Sequence, residues 1–276
     1  MKKVLVLAIF LLSPALVLAT QWGIPQLCPG VNTALDDFSV SISSDGDIYK
    51  VKDYLLWKHE YLGSYNWSSD EVQCTGLGYL MALSISPDQT KGVASVEQGI
   101  CLITSSNGIA WSIGEELTEW NRLPDYYPIS ISCAWESVEK WLYVNYSDGY
   151  CYGAPYPYTS PVQVDLDPSG DHMVAKVGVA LEGNYMVVSD SNGLQLDLYE
   201  LTGSGSSWSG KTEITEVNNG YDEQCPVLGV VDGKNILLFS RVEGDMGGYD
   251  VWYSVGDNNN FNVQPTSLGS LKAMYH

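Results

Sequence analysis

A pattern of short strands and turns recurs five times along this chain and constrains its fold more than any other feature of the sequence. Each copy starts with a strand that alternates small and apolar residues, turns, and usually returns in a second apolar strand. A third strand follows, and a looser segment with an aromatic residue and a serine, such as Asn66-Trp67-Ser68, closes most copies. The period is about 43 to 50 residues, because the turns fall near Gly46, Gln89, Glu139, Gly183 and Gly233.

This period is typical of a blade in a β-propeller, which holds four short strands in roughly 40 to 50 residues. One such sheet cannot bury both of its faces, so several must pack around a common axis. The sequence therefore predicts an all-β fold, a β-propeller with five four-stranded blades, in which residues 20–276 form a single domain. A six-bladed ring with one incomplete blade and an open β-sandwich are the alternatives.

Residues 21–27 resemble a closing segment that has no strands before it. We expect this segment to pair with the last blade and close the ring, which removes a free sheet edge. Residues 261–268 compete for the same place.

The first 19 residues have the three parts of a secretory signal peptide. Lys2 and Lys3 precede an apolar run that begins at Val4, and Val17 and Ala19 are suitable for cleavage after Ala19. An uncleaved membrane anchor is the alternative, although Pro14 interrupts the short run. We therefore expect a soluble protein that is secreted or located in the periplasm.

Six cysteines remain in the exported chain: Cys28, Cys74, Cys101, Cys133, Cys151 and Cys225. An even number in an exported protein predicts some disulfide bonds, although the sequence does not choose among the possible pairings. Buried free thiols are the alternative. The absence of a C-x-x-C pair argues against a thioredoxin-like or zinc-ribbon site.

The net charge of −20, from 33 acidic and 13 basic residues, excludes whole classes of partner. Such a charge repels phosphate backbones and anionic lipid, so we expect neither nucleic-acid binding nor stable membrane insertion. Because 45% of the residues are hydrophobic and only 17% are charged, the chain is rich enough in apolar residues to form a core.

Several segments resemble the repeats of TolB-type, WD-repeat-like propellers. Ser84-Ile-Ser-Pro-Asp88 is similar to their SPDG turn, and Gly247-Gly-Tyr-Asp-Val-Trp-Tyr-Ser254 is similar to their G-G-x-D-I-Y run. Residues 31–37 and 218–223 resemble the segment that precedes such blades. The third and fourth copies depart from the pattern, since Cys133-Ala-Trp135 and Leu181-Glu-Gly183 replace the turn. Residues 105–111 are also similar to the Asp-box turn of sialidase-like propellers, and in both families these turns are structural.

No complete catalytic motif is present. The chain has no G-x-S-x-G and no H-E-x-x-H, and its three histidines are His59, His172 and His276. We expect His59 and His172 to lie on the surface, and we predict no catalytic residue, no metal site and no cofactor. Calcium is possible at the oxygen-rich turns at Asp45, Asp190 and Asp257, for which ordinary turn chemistry is the alternative.

Acids and tyrosines cluster in the loops that lead into the innermost strands, which surround one end of a propeller channel. The sequence therefore predicts a ligand-binding rim for a cationic or polar partner, a protein or a carbohydrate. Its residues are Asp36, Asp37, Asp125, Tyr126, Tyr127, Tyr221, Asp222 and Glu223.

We interpret the chain as a monomeric binding or scaffold module rather than an enzyme. The competing hypothesis is a carbohydrate-active hydrolase that uses Asp37 and Glu223, because such hydrolysis needs two carboxylates facing each other across a cleft.

Overall fold

A computed structural model describes residues 20–32, 38–121, 126–166, 174–191, 193, 195–242 and 248–257. These residues form twenty-two strands and no helix. The described part of the chain therefore has no helix that could cross a membrane. The strands form five four-stranded antiparallel sheets and one small hairpin. The prediction of a five-bladed β-propeller is confirmed, and the six-bladed and sandwich alternatives are wrong.

Each blade runs from an innermost strand at the channel to an outermost strand at the periphery. The first blade contains β2 (Phe38–Ile42), β3 (Ile48–Lys52), β4 (Leu55–His59) and β7 (Val72–Gln73), and carries the hairpin of β5 (Tyr61–Gly63) and β6 (Asn66–Trp67). The second contains β8 (Leu80–Ile85), β9 (Lys91–Val96), β10 (Gly99–Ser105) and β11 (Trp111–Glu116).

The remaining blades follow the same order. The third contains β12 (Pro128–Cys133), β13 (Leu142–Tyr146), β14 (Cys151–Ala154) and β15 (Val162–Val164). The fourth contains β16 (Val174–Val179), β17 (Tyr185–Ser191), β18 (Leu196–Ser204) and β19 (Ser207–Glu213). The fifth contains β20 (Glu223–Val231), β21 (Lys234–Val242), β22 (Tyr249–Val255) and β1 (Gln26–Leu27).

The N-terminal segment closes the ring, as the sequence predicts. Strand β1 pairs antiparallel with β22, with Gln26 opposite Tyr253 and Leu27 opposite Trp252. Gly23 N donates to Val255 O at 3.0 Å. The first and last described strands therefore share one sheet. Strand β1 supplies the outermost strand of the fifth blade and covers the outer edge of β22. The competing segment, residues 261–268, lies outside the described residues.

The core is divided into five clusters of buried side chains, one at each junction between neighbouring blades. The recurring tryptophans of the closing segments belong to this core. Trp67, Trp111 and Trp208 are each buried and donate their indole N–H to the carbonyl oxygens of Gly46, Gly108 and Gly205, respectively. Tryptophan thus recurs in the closing segments of three blades because its ring fills the junction and its N–H bonds a carbonyl oxygen of a turn.

Serines on the innermost strands link four successive blades. The hydroxyl oxygens of Ser41, Ser84 and Ser132 accept from Ile85 N, Cys133 N and Val179 N at 3.0, 3.2 and 2.9 Å. Gly178 follows in the fourth blade, where an added Cβ would lie only 2.3 Å from Pro226 O. The small residues of the repeat are therefore required by the close approach of the inner strands.

All six cysteines are buried free thiols, so the prediction of disulfide bonds is wrong for this structure. Most of them lie in different junction clusters. Cys28, Cys133 and Cys151 occupy three separate clusters, and Cys74 and Cys101 share a fourth. Packed sheets lie about 10 Å apart, whereas a disulfide needs Cα atoms within about 7 Å. Burial raises the pKa of the Cys74 thiol to about 11, which also keeps it protonated.

Candidate functional site

The loops that lead into the innermost strands share one face of the propeller with the turns between second and third strands, because each blade is antiparallel. We call this the upper face. Its described loops are residues 28–32, 53–54, 74–79, 97–98, 117–121, 126–127, 147–150, 165–166, 193, 195, 214–222 and 248. The turns between first and second strands lie on the opposite, lower face.

Exposed tyrosines are concentrated on the upper face. Six of the seven exposed tyrosines in the described residues lie there, namely Tyr54, Tyr79, Tyr126, Tyr127, Tyr150 and Tyr221. The sequence predicted Tyr126, Tyr127 and Tyr221 at this rim but missed the other three. Tyr54 and Tyr150 were missed because they belong to turns between second and third strands, and only the antiparallel strand order would have placed them here.

Two of these tyrosines are fixed by contacts across a blade junction. The rings of Tyr54 and Tyr79 stack with centroids 4.1 Å apart, and Leu80 N donates to Tyr54 O at 2.9 Å. Ser147 N donates to Tyr127 O at 3.0 Å within the third blade. The aromatic side chains are thus presented by hydrogen-bonded turns.

The described loops of the upper face carry only negative charge. Their acidic residues are Asp53, Glu97, Glu119, Asp148, Asp165, Glu216 and Asp222, and none of the residues described in these loops is lysine or arginine. The described part of these loops is therefore more uniformly acidic than the chain as a whole, which has 13 basic residues.

Asp222 and Glu223 differ in environment although they are adjacent. Asp222 is half-buried, and its Oδ1 accepts from Leu196 N at 2.9 Å. Glu223 is completely buried at the start of β20, where Arg241 is its partner in the register of β21. The expectation that Glu223 lies on an exposed rim is wrong, because its side chain points into the blade rather than into solvent.

Arg241 holds the Glu223 carboxylate in place. Its Nε donates to Glu223 Oε1 at 2.9 Å, and Nη2 donates to Val217 O at 2.5 Å. Its guanidinium lies 4.7 Å from the ring centroid of Trp252 and 5.1 Å from that of Phe239. The buried ion pair thereby ties the loop before β20 to the middle of the fifth blade.

Burial raises the pKa of Glu223 to about 7; the Arg241 guanidinium opposes part of that rise, and the charge of Asp197 adds to it. A carboxyl group with a raised pKa is a feature of general acids. A general acid must also reach the substrate, and the fully buried Glu223 carboxyl is already bound to Arg241. The arrangement is that of a structural ion pair.

Two further acids lie buried in the neighbouring blade. Asp190 on β17 is the register partner of Asp197 on β18, and its Oδ2 forms a short ion pair with Lys211. Asp47, in another of the turns considered for calcium, pairs with Lys58 at 2.8 Å. The described residues contain no group of three metal-ligating side chains, so calcium binding remains only a prediction from sequence.

Asp36, Asp37 and Asp125 lie outside the described residues, as does His172. His59, which we expected on the surface, is buried: its Nδ1 lies 2.9 Å from Ser68 O and its Nε2 3.8 Å from Glu71 Oε2. The expectation was wrong because the segment after β4 folds back over the strand and covers the imidazole.

The channel between the innermost strands holds a small cavity of about 40 Å³. Serine and aliphatic side chains make up most of its wall, and the described lining residues include no carboxylate. Within this lining, Lys176 Nζ donates to Cys225 Sγ at 2.8 Å. A cavity of this size holds a few water molecules and is too small for a sugar ring.

No protein-family model matches the chain, and no curated protein matches it in sequence. Solved structures match it in shape. A thermostable family-43 glycoside hydrolase aligns with a TM-score of 0.50 and 12% identity, over 87% of this chain and 89% of its own.

Two further structures align less well. The GH32 β-fructofuranosidase BmSUC1 of Bombyx mori gives a TM-score of 0.48 and 10% identity over 86% of this chain. This chain spans only 62% of that enzyme's length. The β-propeller domain of Cps50 (Swd1) of Myceliophteria thermophila gives 0.44 and 11% identity, over 79% of this chain and 82% of its own. At these identities the family-43 match shows the propeller fold alone.

Proposed function

We propose that the protein is a binding module that takes a basic segment of a partner protein on its upper face. The observation that carries this proposal is the combination of six exposed tyrosines with acidic loops in which no described residue is basic. We also propose that the leader at residues 1–19 exports the protein, which would place the partner outside the cell or in the periplasm.

The tyrosines favour protein recognition. A tyrosine buries a large amphipathic ring with few rotatable bonds, so it adds contact area at low entropic cost, and interfaces are enriched in it. Tyr54, Tyr79 and Tyr127 are already held by stacking or by backbone hydrogen bonds in their turns. Little ordering would accompany binding at these positions.

The charge favours a basic partner. A net charge of −20 attracts lysine and arginine over long range and speeds the encounter, with a strong dependence on salt. Arginine can also stack on the tyrosine rings, which adds attraction at short range.

A carbohydrate-active hydrolase is the competing proposal. It requires two carboxylates that reach one substrate. Glu223 is fully buried against Arg241, and the described lining of the channel cavity includes no carboxylate. A panel of aryl glycosides and polysaccharides tests it: we expect no turnover. Turnover abolished by Asp37→Asn or Glu223→Gln in a folded protein would establish the hydrolase instead.

The binding proposal is tested by selecting ligands from a random decapeptide library on the immobilised protein. We expect the selected peptides to be rich in arginine and lysine. The triple variant Tyr54→Ser, Tyr127→Ser, Tyr221→Ser should bind one such peptide about tenfold or more weakly, whereas Tyr156→Ser, on the lower face, should bind normally.

The affinity for the selected peptide should also fall as salt is raised. Selected peptides without basic residues, or equal weakening by the upper-face and lower-face variants, would contradict the proposal.

A further inference from the structure

A cleft of about 610 Å³ opens at the lower face between the second and third blades. Its walls are the turn from β8 to β9, the turn from β12 to β13, the end of β10 and the segment after β14. The cleft lies at the opposite end of the blades from the tyrosine-rich upper face. Its volume is in the range of about 300 to 1,000 Å³ typical of small-molecule sites.

Two aromatic side chains in the cleft are held in fixed positions. Trp135 donates its indole N–H to Ser84 Oγ at 3.2 Å, which attaches the ring to the innermost strand of the second blade. Tyr156 meets Tyr158 edge-on, with ring centroids 5.5 Å apart, and Tyr156 N donates to Glu139 O at 3.0 Å. Tyr156 is nevertheless 63% exposed, so its ring is accessible to a ligand.

The charged residues of the cleft balance one another. Asp88 and Glu136 face the same space as Lys91 and Lys140, and the lining has no other charged side chain. This balance contrasts with the −20 of the whole chain. Asp88 Oδ1 accepts hydrogen bonds from Ser86 and Thr90. The other carboxylate oxygen, Oδ2, is available to accept a hydrogen bond from a ligand.

We propose that this cleft binds a segment of a neutral oligosaccharide. The C–H faces of a sugar ring are apolar and pack against aromatic rings such as Trp135 and Tyr156. Its hydroxyl groups both donate and accept, so they can use the two carboxylates and the two ammonium groups together. An anionic sugar would meet the negative field of the chain, and a cationic ligand would find the more acidic upper face.

An extended peptide is less well matched to this cleft. Peptides that bind sheets commonly add a strand to an open edge. Strand β10, which contributes the wall, is paired on both sides with β9 and β11, so it offers no free edge. The remaining walls are turns, whose backbone groups are partly used in their own hydrogen bonds.

The test is saturation-transfer NMR on the whole protein with neutral hexasaccharides of glucose, xylose, mannose, arabinose and N-acetylglucosamine. Oligogalacturonate serves as the anionic comparison. We expect at least one neutral hexasaccharide to bind with a Kd below about 1 mM. Tyr156→Ala and Trp135→Ala should each weaken it about tenfold or more, since each removes a stacking ring.

Tyr150→Ala removes a tyrosine of similar exposure from the upper face and should leave saccharide binding unchanged. Tyr156→Phe keeps the ring and should retain most of the affinity, which separates stacking from a loss of folding. Failure of every neutral hexasaccharide to bind overturns the proposal. Preference for oligogalacturonate, equal weakening by Tyr150→Ala, or basic-peptide binding that is lost in Tyr156→Ala also overturns it.

Discussion

The buried pair of Glu223 and Arg241 illustrates how a single residue gains its role from its neighbours. The two residues are register partners across a hairpin whose turn contains Asp232 and Gly233. The sequence predicted that turn, but counting outward from it places Val242 opposite Glu223. A register shift between Gln224 and Val227 brings Arg241 there instead. We interpreted Glu223 as a rim acid because the adjacent Asp222 and Tyr221 suggested an exposed loop.

This pair predicts a pH dependence of stability. Because burial raises the pKa of Glu223 to about 7, the folded state holds this proton more tightly than the unfolded state does. The contribution to the free energy of unfolding is therefore complete below about pH 4.5 and declines, by about 3 kcal/mol in total, as the pH rises to about 7. Above that pH it stays constant.

The free energy of unfolding in urea, measured for the wild type and for Glu223→Gln at intervals of about one pH unit between pH 5 and pH 8, tests this contribution. The glutamine variant cannot titrate at this position, so its curve should lack the decline and the difference between the two curves should change with pH. Parallel curves would show that the Glu223 carboxyl titrates far from neutrality.

At the scale of the strand, the recurring serines explain why the innermost strands alternate small and apolar residues. The apolar residues enter the junction clusters, whereas Ser41, Ser84 and Ser132 accept a backbone N–H from the next blade. The repeat was visible in the sequence, but its cause was not, since each bond joins residues 44 to 49 positions apart.

The strand-scale prediction concerns Ser84, which accepts from both Cys133 N and Trp135 Nε1. Ser84→Ala leaves the buried Cys133 N–H without this acceptor and should lower the free energy of unfolding by about 1–3 kcal/mol. Chemical denaturation monitored by tryptophan fluorescence measures the change. The exposed Ser112 in β11 is the matched control, and Ser112→Ala should change stability by less than about 0.5 kcal/mol. Equal effects of the two substitutions would refute a link between blades through Ser84.

At the scale of the whole molecule, the ring is closed by a segment that precedes the first complete blade. Strand β1 covers the outer edge of the fifth blade, and Trp22 is buried in the junction between the fourth and fifth blades, where it donates to Tyr185 Oη at 3.3 Å. Closure therefore depends on side-chain packing as well as on the pairing of two residues in β1.

We expect Trp22→Ala to destabilise the whole propeller by about 3–5 kcal/mol, because it empties a large buried volume at the closure. Ile24 lies two residues away and is 86% exposed, so Ile24→Ala should have almost no effect. Thermal unfolding followed by circular dichroism compares the two variants. A similar small effect of both would mean that residues 20–27 do not hold the ring closed.

The sequence by itself determined the strand pattern and the positions of most turns, and it favoured five blades and closure of the ring by residues 21–27. These features follow from alternation over a few residues and from turn chemistry, which are local properties of the chain. Only the tertiary structure decided that His59 and Glu223 are buried, that the cysteines remain free and that Tyr54 and Tyr79 stack on the upper face. The cleft beside Trp135 likewise exists only between two assembled blades. Burial at these positions depends on residues that are distant in the sequence. A local sequence pattern does not predict which of those side chains come into contact.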